Sequence, residues 1–239
     1  MGDGAEWERE AENWVRWART PGHDAYWYYR DSFFDLIVPA PGRRTLEIGC
    51  GEGRVARDLA ARGHRVTAID AAPTLLRDAR QIDATGAYVR AQSRALPFPD
   101  DCFDLAVVYN SLQSLQVVDD MAATVVEAGR VLDRGGHLCA CVAHPVTDLG
   151  RFSNEDSDAQ FVLRPHYFEP RWVEDTVHQG GLTMTFRGWT YTLEDYAVAL
   201  QQAGFQIEVM REPRPTRSAG RYERWRGLPL FLFFRAVKP

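Results

Sequence analysis

The chain holds a single lysine, Lys238, so 27 of its 28 cations are arginines. Codon usage in a GC-rich genome accounts for that bias without a functional demand for guanidinium groups. Cations are also outnumbered: 33 Asp and Glu leave a net charge of −5. A chain without basic excess lacks the electrostatic footprint of a nucleic-acid binder. Cysteine is scarce, with Cys50, Cys102, Cys139 and Cys141 forming no C-x-x-C and no Cys/His cluster. That spacing supports neither a zinc site nor a disulfide frame, and it leads us to expect a reduced, cytoplasmic protein without a metal. Long hydrophobic runs are missing as well. The longest, 228–234, is too short to cross a bilayer, so no membrane partner is expected. The opening Met-Gly-Asp-Gly-Ala-Glu has no basic and apolar leader regions, and Glu6 stands where myristoylation requires Ser or Thr.

What the chain does have is apolar and aromatic content: 239 residues, 45% hydrophobic, including 28 Phe, Tyr and Trp. This is core material for one large domain. Helical periodicity is expected over 5–20 and 24–38. Short apolar runs and helical patterns then alternate: strand 45–50, helix 54–62, strand 65–70, helix 73–81, strand 87–91, strand 103–110, helix 121–132 and strand 136–143. Strands joined by helical crossovers form right-handed βαβ units, hence an α/β fold with a parallel sheet covered on both faces.

The rhythm changes after 143. Thr192 stands three residues before Asp195 in the manner of a capping box, opening a helix that runs to 203 and ends at Gly204. Strands 205–211 and 228–237 follow without a helix between them, which predicts an antiparallel pair at the sheet edge. Between 144 and 191 lie 48 irregular residues, far more than an ordinary strand-to-helix link. Within them, 173–178 and 182–187 around Gly180-Gly181 read as a small hairpin.

The most informative stretch is Thr45-Leu-Glu-Ile-Gly-Cys-Gly-Glu-Gly-Arg54, a strand that breaks into glycines and enters a helix. Glycines at 49, 51 and 53 let backbone N–H groups and the helix N-terminus approach a ligand. Residues 51–56 also fit the G-x-G-x-x-G/A dinucleotide fingerprint, and Asp70 suits a ribose hydroxyl under either reading. Glu47 separates the two. A carboxylate inside the first strand, where a dinucleotide strand is apolar, answers a cationic ligand group such as an amino-acid ammonium.

With these residues the chain resembles the class I S-adenosylmethionine-dependent methyltransferases of the small-molecule type. Residues 47–53 resemble their E/D-x-G-x-G-x-G motif, and Asp70 their ribose-binding acid. Ala95-Leu-Pro-Phe-Pro-Asp-Asp-Cys-Phe-Asp104 resembles the loop into their fourth strand, and Glu127-Ala-Gly-Arg-Val-Leu-Asp-Arg-Gly-Gly136 the helix and turn before their fifth. The resemblance spans about 43–143. It implies a doubly wound, seven-stranded Rossmann-like sheet with a reversed last strand. One compact domain would comprise an N-terminal helical cap (1–40), a cofactor-binding core (41–143 plus 192–239) and a substrate-covering flap inserted after the fifth strand (144–191).

The resemblance also implies S-adenosylmethionine as cofactor and gives each residue a task. Backbone at Gly49, Cys50 and Gly51 would meet the methionyl and ribose portions, and Glu47 the ammonium. Asp70 would accept from the ribose hydroxyls, and Ala71 would lie against the adenine. Gln92 stands where many members carry an Asp for the adenine amine, keeping an acceptor oxygen without the charge. Ser93 would offer its N–H to the ring edge, and Tyr109 and Asn110 would face the methionyl tail and sulfonium.

Methyl transfer is an in-line displacement at an activated carbon, so the protein supplies alignment, dehydration and at times removal of a proton. His144, directly after the fifth strand, is either a general base or orienting group for an acceptor hydroxyl or amine, or a histidine that holds its turn. The insertion is rich in rings, from which Tyr167 and Trp172, with His166, are candidate acceptor contacts. Tyr28 from the cluster 26–29 is another. Such walls suit a small aromatic or hydrophobic acceptor methylated at O, N or C by a monomer or homodimer. Competing readings are an RNA or protein methyltransferase, a cofactor-binding protein that transfers nothing, and a nicotinamide dehydrogenase. The Arg-rich loop 213–229 reads as solvated or as a contact for an acidic partner.

Overall fold

Acidic residues Glu6 and Glu8 open the first helix, and Arg16 and Arg19 close it, both favourable to the helix dipole; Ala11, Val15, Trp17 and Ala18 form its buried side. The computed structural model describes residues 4–239 apart from 155, 157, 158, 165, 218 and 219. The readings of the first three residues, and those parts of the insertion and of the Arg-rich loop, lie outside the described residues. In order, the elements are α1 (Ala5–Arg19), α2 (Tyr26–Leu36), β1 (Arg44–Ile48), α3 (Arg54–Ala61), β2 (Arg65–Asp70), α4 (Pro73–Ile82), β3 (Ala87–Arg90), β4 (Phe103–Tyr109), α5 (Asp120–Val131) and β5 (Leu132–Ala143). There follow β6 (Gly150–Phe152), β7 (Phe161–Leu163), β8 (Trp172–Gln179), β9 (Leu182–Trp189), α6 (Leu193–Gln202), β10 (Gln206–Arg211) and β11 (Phe231–Val237).

Seven strands form one sheet in the order β10-β11-β5-β4-β1-β2-β3. β1 runs parallel to β2 and β4, β2 to β3 and β4 to β5, while β11 is antiparallel to both β5 and β10. The expected antiparallel pair is present, with β11 wedged against β5 and β10 on the edge. Side chains of β5 alternate between two cores: Leu138, Ala140 and Val142 pack on the α5 and α6 side, Cys139 and Cys141 on the α2 and α3 side. Thr192 caps α6 as expected, its Oγ1 accepting the Asp195 N–H at 3.0 Å while Asp195 Oδ2 accepts the Thr192 N–H at 2.7 Å.

The insertion holds two hairpins, β6 with β7 and β8 with β9. The second matches the sequence reading. The first was not expected from the sequence; its strands are three residues long, and Phe152 and Phe161 hold it against Trp225, with ring centroids 4.9 and 6.2 Å away. The β8–β9 hairpin leans on α1 through Phe186 against Trp14 and Trp17 and through an Arg187–Glu10 ion pair at 3.1 Å. Strand order reverses between β1 and β4, so the crevice beyond their C-terminal ends is the place such a sheet offers a ligand.

Candidate active site

Where β1 ends, Gly49, Gly51 and Gly53 take φ of 76°, 56° and 83°, a region that disfavours any side chain. The N–H groups of Gly49 and Cys50 both donate to Ile69 O at 2.9 Å, tying the loop to the end of β2. A Cβ on Gly49 would stand 2.6 Å from Ser111 Oγ, and one on Gly51 3.0 Å from Trp14 Nε1. The loop is therefore a cradle with its backbone bared. Asp70 closes it: Oδ2 accepts the Gly51 N–H and Oδ1 the Ala72 N–H, both at 2.8 Å. Burial raises the Asp70 carboxyl above its ordinary value, against the pull of those backbone donors.

Glu47 is 1% exposed and its Oε2 has no partner among the described residues. Burial, then the charges of Asp70 and Glu52, lifts its carboxyl well above the usual range. Across from it, Arg54 begins α3 with Nη2 on Asp24 Oδ1 at 2.6 Å and its guanidinium over the rings of Tyr26 and Trp14, at 4.3 and 4.9 Å. Its buried Nη1 has no partner. A buried unpaired carboxylate oxygen and a buried unpaired guanidinium nitrogen beside one glycine loop fit a zwitterionic ligand.

Tyr109 ends β4 with its hydroxyl buried beside Cys141. Asn110 takes φ 57°, its N–H donates to Cys141 O at 2.7 Å and its Oδ1 accepts from Gln113 Nε2 at 2.5 Å. Gln92 Oε1 accepts from Arg94, and Ser93 Oγ lies 2.7 Å from Thr124 Oγ1. Gly4 packs on Ala71 so closely that a Cβ there would come within 2.7 Å of the alanine methyl.

One cavity of ≈ 680 Å³ is lined by Glu47, Gly49, Cys50, Gly51, Asp70, Ala71, Gln92, Ser93, Tyr109 and Asn110, so all ten residues expected around the cofactor meet in one place. The residues expected around the acceptor do not. His144 is 4% exposed and is absent from the lining: its Nδ1 accepts the Val146 N–H at 3.1 Å and its Nε2 faces Glu212 Oε1 at 2.9 Å. Of its two expected places, the cleft mouth and the turn, the structure puts it at the turn, with Nδ1 engaged by the turn it begins and Nε2 by Glu212.

Tyr28 is buried against Tyr222, with centroids 4.4 Å apart, and Tyr222 is the ring that reaches the cavity. Trp172 packs edge-on to Trp189 at 5.6 Å, and again the partner lines the cavity. His166 is exposed 3.8 Å from Glu169, and the Tyr167 hydroxyl accepts the Leu193 N–H at 3.1 Å, so both lie outside the lining. In their place come Trp7, Trp14, Arg54, Asp148, Tyr222 and Trp225. Arg54 could have been found as the cation directly after the glycine run. For Asp148 and the rings around 222–225 no sequence signal exists, since long irregular segments bring them there. Among the described residues, no group of three or more His, Cys, Asp or Glu could hold a metal ion, and no helix is long and apolar enough to cross a membrane.

A family model described as "Methyltransferase domain" matches residues 46–140. A demethylmenaquinone methyltransferase of Tropheryma whipplei is 30% identical over 190 residues, covering 77% of this chain and 74% of that protein. A ubiquinone biosynthesis O-methyltransferase of Xylella fastidiosa is 33% identical over 200 residues, covering 82% and 72%. Among solved structures, an S-adenosylmethionine-dependent methyltransferase from Mesorhizobium loti superposes with a TM-score of 0.70 at 24% identity, covering 90% of this chain and 98% of that one.

Proposed function

The chain belongs to the class I S-adenosylmethionine-dependent methyltransferases, and from that premise we propose that it methylates O, N or C of a small aromatic or hydrophobic molecule. S-adenosylmethionine is its cofactor. The observation that carries the acceptor class is the wall made by Phe152, Phe161, Tyr222, Trp225 and Phe231, which gives the cavity a broad aromatic face with few rotors to order. The two relatives are named for menaquinone and ubiquinone, both ring compounds, in line with this reading.

When bound, the cofactor supplies a methyl carbon activated by a cationic sulfur. The remaining work falls to the chain. The bared loop 49–51 would receive the methionyl and ribose portions, Asp70 would accept from the ribose hydroxyls with the lone pairs its backbone donors leave free, and Ala71, Gln92 and Ser93 would flank the adenine. Glu47 would take the ammonium and Arg54, through Nη1, the carboxylate. Tyr109 and Asn110 would border the sulfonium and help fix the line of approach, where orientation is worth several kcal/mol of barrier, roughly 7–11 at the upper limit. His144 holds the turn after β5. In this reading the cap (1–40), the core (41–143 with 192–239) and the flap (144–191) keep their proposed roles, with the acceptor between flap and core.

A labelled-methyl assay tests the proposal with S-adenosylmethionine and three panels: aromatic alcohols and amines, transfer RNA, and peptides. Label in the small molecules alone is the expected result. Label entering RNA or peptide while every small molecule stays unlabelled overturns it.

A further inference from the structure

Beyond β5 the chain turns through Thr147–Leu149 and sets Asp148 in the cavity lining. Three anchors hold that turn. The Val146 N–H, Thr147 N–H and Thr147 Oγ1 all bond His144; Arg171 Nη2 donates to the Asp148 carbonyl at 3.2 Å; and the Arg164 N–H donates to Leu149 O. Backbone this constrained presents the Asp148 side chain in a fixed place.

The carboxylate itself has no hydrogen-bond or ion-pair partner among the described residues, and its oxygens are not sealed off. The charged groups near it explain why. Arg171 spends Nη2 on the backbone carbonyl and keeps its positive charge nearby without pairing with the carboxylate. Arg224, which also lines the cavity, donates Nη1 to Asn154 O and stands over the Phe152 ring at 4.7 Å. Arg187, from β9, is committed to Glu174 at 2.8 Å and Glu10 at 3.1 Å, and Arg151, from β6, is exposed. Glu174 and Asp175, from β8, also line the cavity, and the buried Tyr196 of α6 lies close enough to feel the Asp148 charge. Burial pushes the Asp148 carboxyl up to about 6, opposed by Arg171 and reinforced by Asp175.

An unpaired carboxylate in a cavity walled by Phe152, Phe161, Tyr222 and Trp225 is costly unless the ligand brings its counter-charge. Aromatic faces attract a cation; Phe152 already holds Arg224 in this way, which leaves Phe161, Tyr222 and Trp225 as the rings for a ligand cation. We propose that the acceptor carries a basic amine and that Asp148 binds it as the ammonium, with the apolar part of the molecule against the aromatic wall. This rests on the reading of the cavity as an aromatic acceptor site and narrows it to cationic acceptors.

The protein bound to S-adenosylhomocysteine is titrated calorimetrically with 2-phenylethylamine, 3-phenylpropan-1-ol and 3-phenylpropanoate, which share a ring and a short arm and differ in charge. The amine is expected to bind at least tenfold tighter than the alcohol at pH 8, and the carboxylate weakest of the three. Asp148→Asn should erase the preference for the amine while S-adenosylhomocysteine affinity stays unchanged. In wild-type protein the preference should fade as pH drops from 7 to 5, a readout independent of whether the variant folds. Equal binding of amine and alcohol, a preference for the carboxylate, or an amine preference that survives in Asp148→Asn or at pH 5 overturns the assignment of Asp148 and leaves the aromatic site standing. Failure of all three probes to bind at millimolar concentration overturns both.

Discussion

His144 Nε2 lies 2.9 Å from Glu212 Oε1 while its Nδ1 accepts the Val146 N–H, so one imidazole, protonated on Nε2, joins the exit of β5 to the residue after β10. The ring is buried and the Glu212 side chain is 61% exposed. The histidine thus stabilises the turn that carries Asp148.

His144→Ala should therefore lower stability by about 2 kcal/mol, through the lost turn bonds and the space left behind, as read by urea unfolding. Burial holds the His144 pKa below its ordinary 6.5, with Glu212 opposing. The unfolded chain then binds the proton first, so this contribution is complete above pH 6.5 and is lost as pH falls below it. His144→Gln should flatten the stability profile between pH 7 and 5. Glu212→Gln, at the exposed end, should change stability by less than about 1 kcal/mol.

Gly49→Ala places a methyl 2.6 Å from Ser111 Oγ on a residue at φ 76°. The backbone strain alone costs about 1–2 kcal/mol, and the displaced Ser111 distorts the cradle. S-adenosylhomocysteine affinity, measured by calorimetry, should fall at least tenfold. Gly42→Ala is the comparison, since it is equally strained at φ 93° but meets nothing within 4 Å and lies outside the cavity. That variant should lose stability and keep the affinity.

Arg54→Gln removes the guanidinium whose Nη1 is unpaired. Wild-type protein should bind S-adenosylmethionine about 10–100-fold tighter than its decarboxylated analogue, the range of a charged hydrogen bond of ~1.5–3 kcal/mol. The variant should bind the two alike. Persistence of the full preference in a folded Arg54→Gln protein would place the carboxylate elsewhere.

Asp148→Asn should stabilise the protein. A carboxyl raised to about 6 in the folded state from 3.8 is harmless below pH 3.8, and its penalty grows as pH rises towards 6 and is constant above. Thermal unfolding at pH 7.5 should show a gain of about 1–2 kcal/mol, discounted for the partial exposure of the group. At pH 4 the gain should be nearly gone. Loss of stability at pH 7.5 would mean that the carboxylate has a partner in the folded protein.

The alternation of strand and helix from 45 to 143 was legible because each βαβ unit is local: the apolar run and the helical period adjoin in sequence, and the right-handed crossover leaves little choice of topology. That the residues proposed for the cofactor share one cavity was legible for the same reason. Gly49, Gly51, Asp70, Gln92 and Tyr109 all sit at strand ends, and a parallel sheet brings the C-terminal ends of its strands to one edge. Tyr28 and Trp172 show where that reasoning stops. Both lie in the right neighbourhood, but Tyr222 and Trp189 reach the cavity instead, because a ring's direction depends on what packs behind it.

By itself, then, the sequence determined the βαβ part of the sheet and the glycine cradle with Glu47 and Asp70, since these rest on periodicity and on neighbours along the chain. The reversed strand, which pairs Phe231 with Ala143, was legible because no helical pattern in the sequence separates it from β10. Only the tertiary structure decided the acceptor side. There the β6–β7 hairpin, the turn at Asp148 and the rings near 222–225 come together from segments tens of residues apart, and no local pattern records which of their side chains face inward. It also put His144 outside the cavity lining, with one ring nitrogen on its own turn and the other on Glu212.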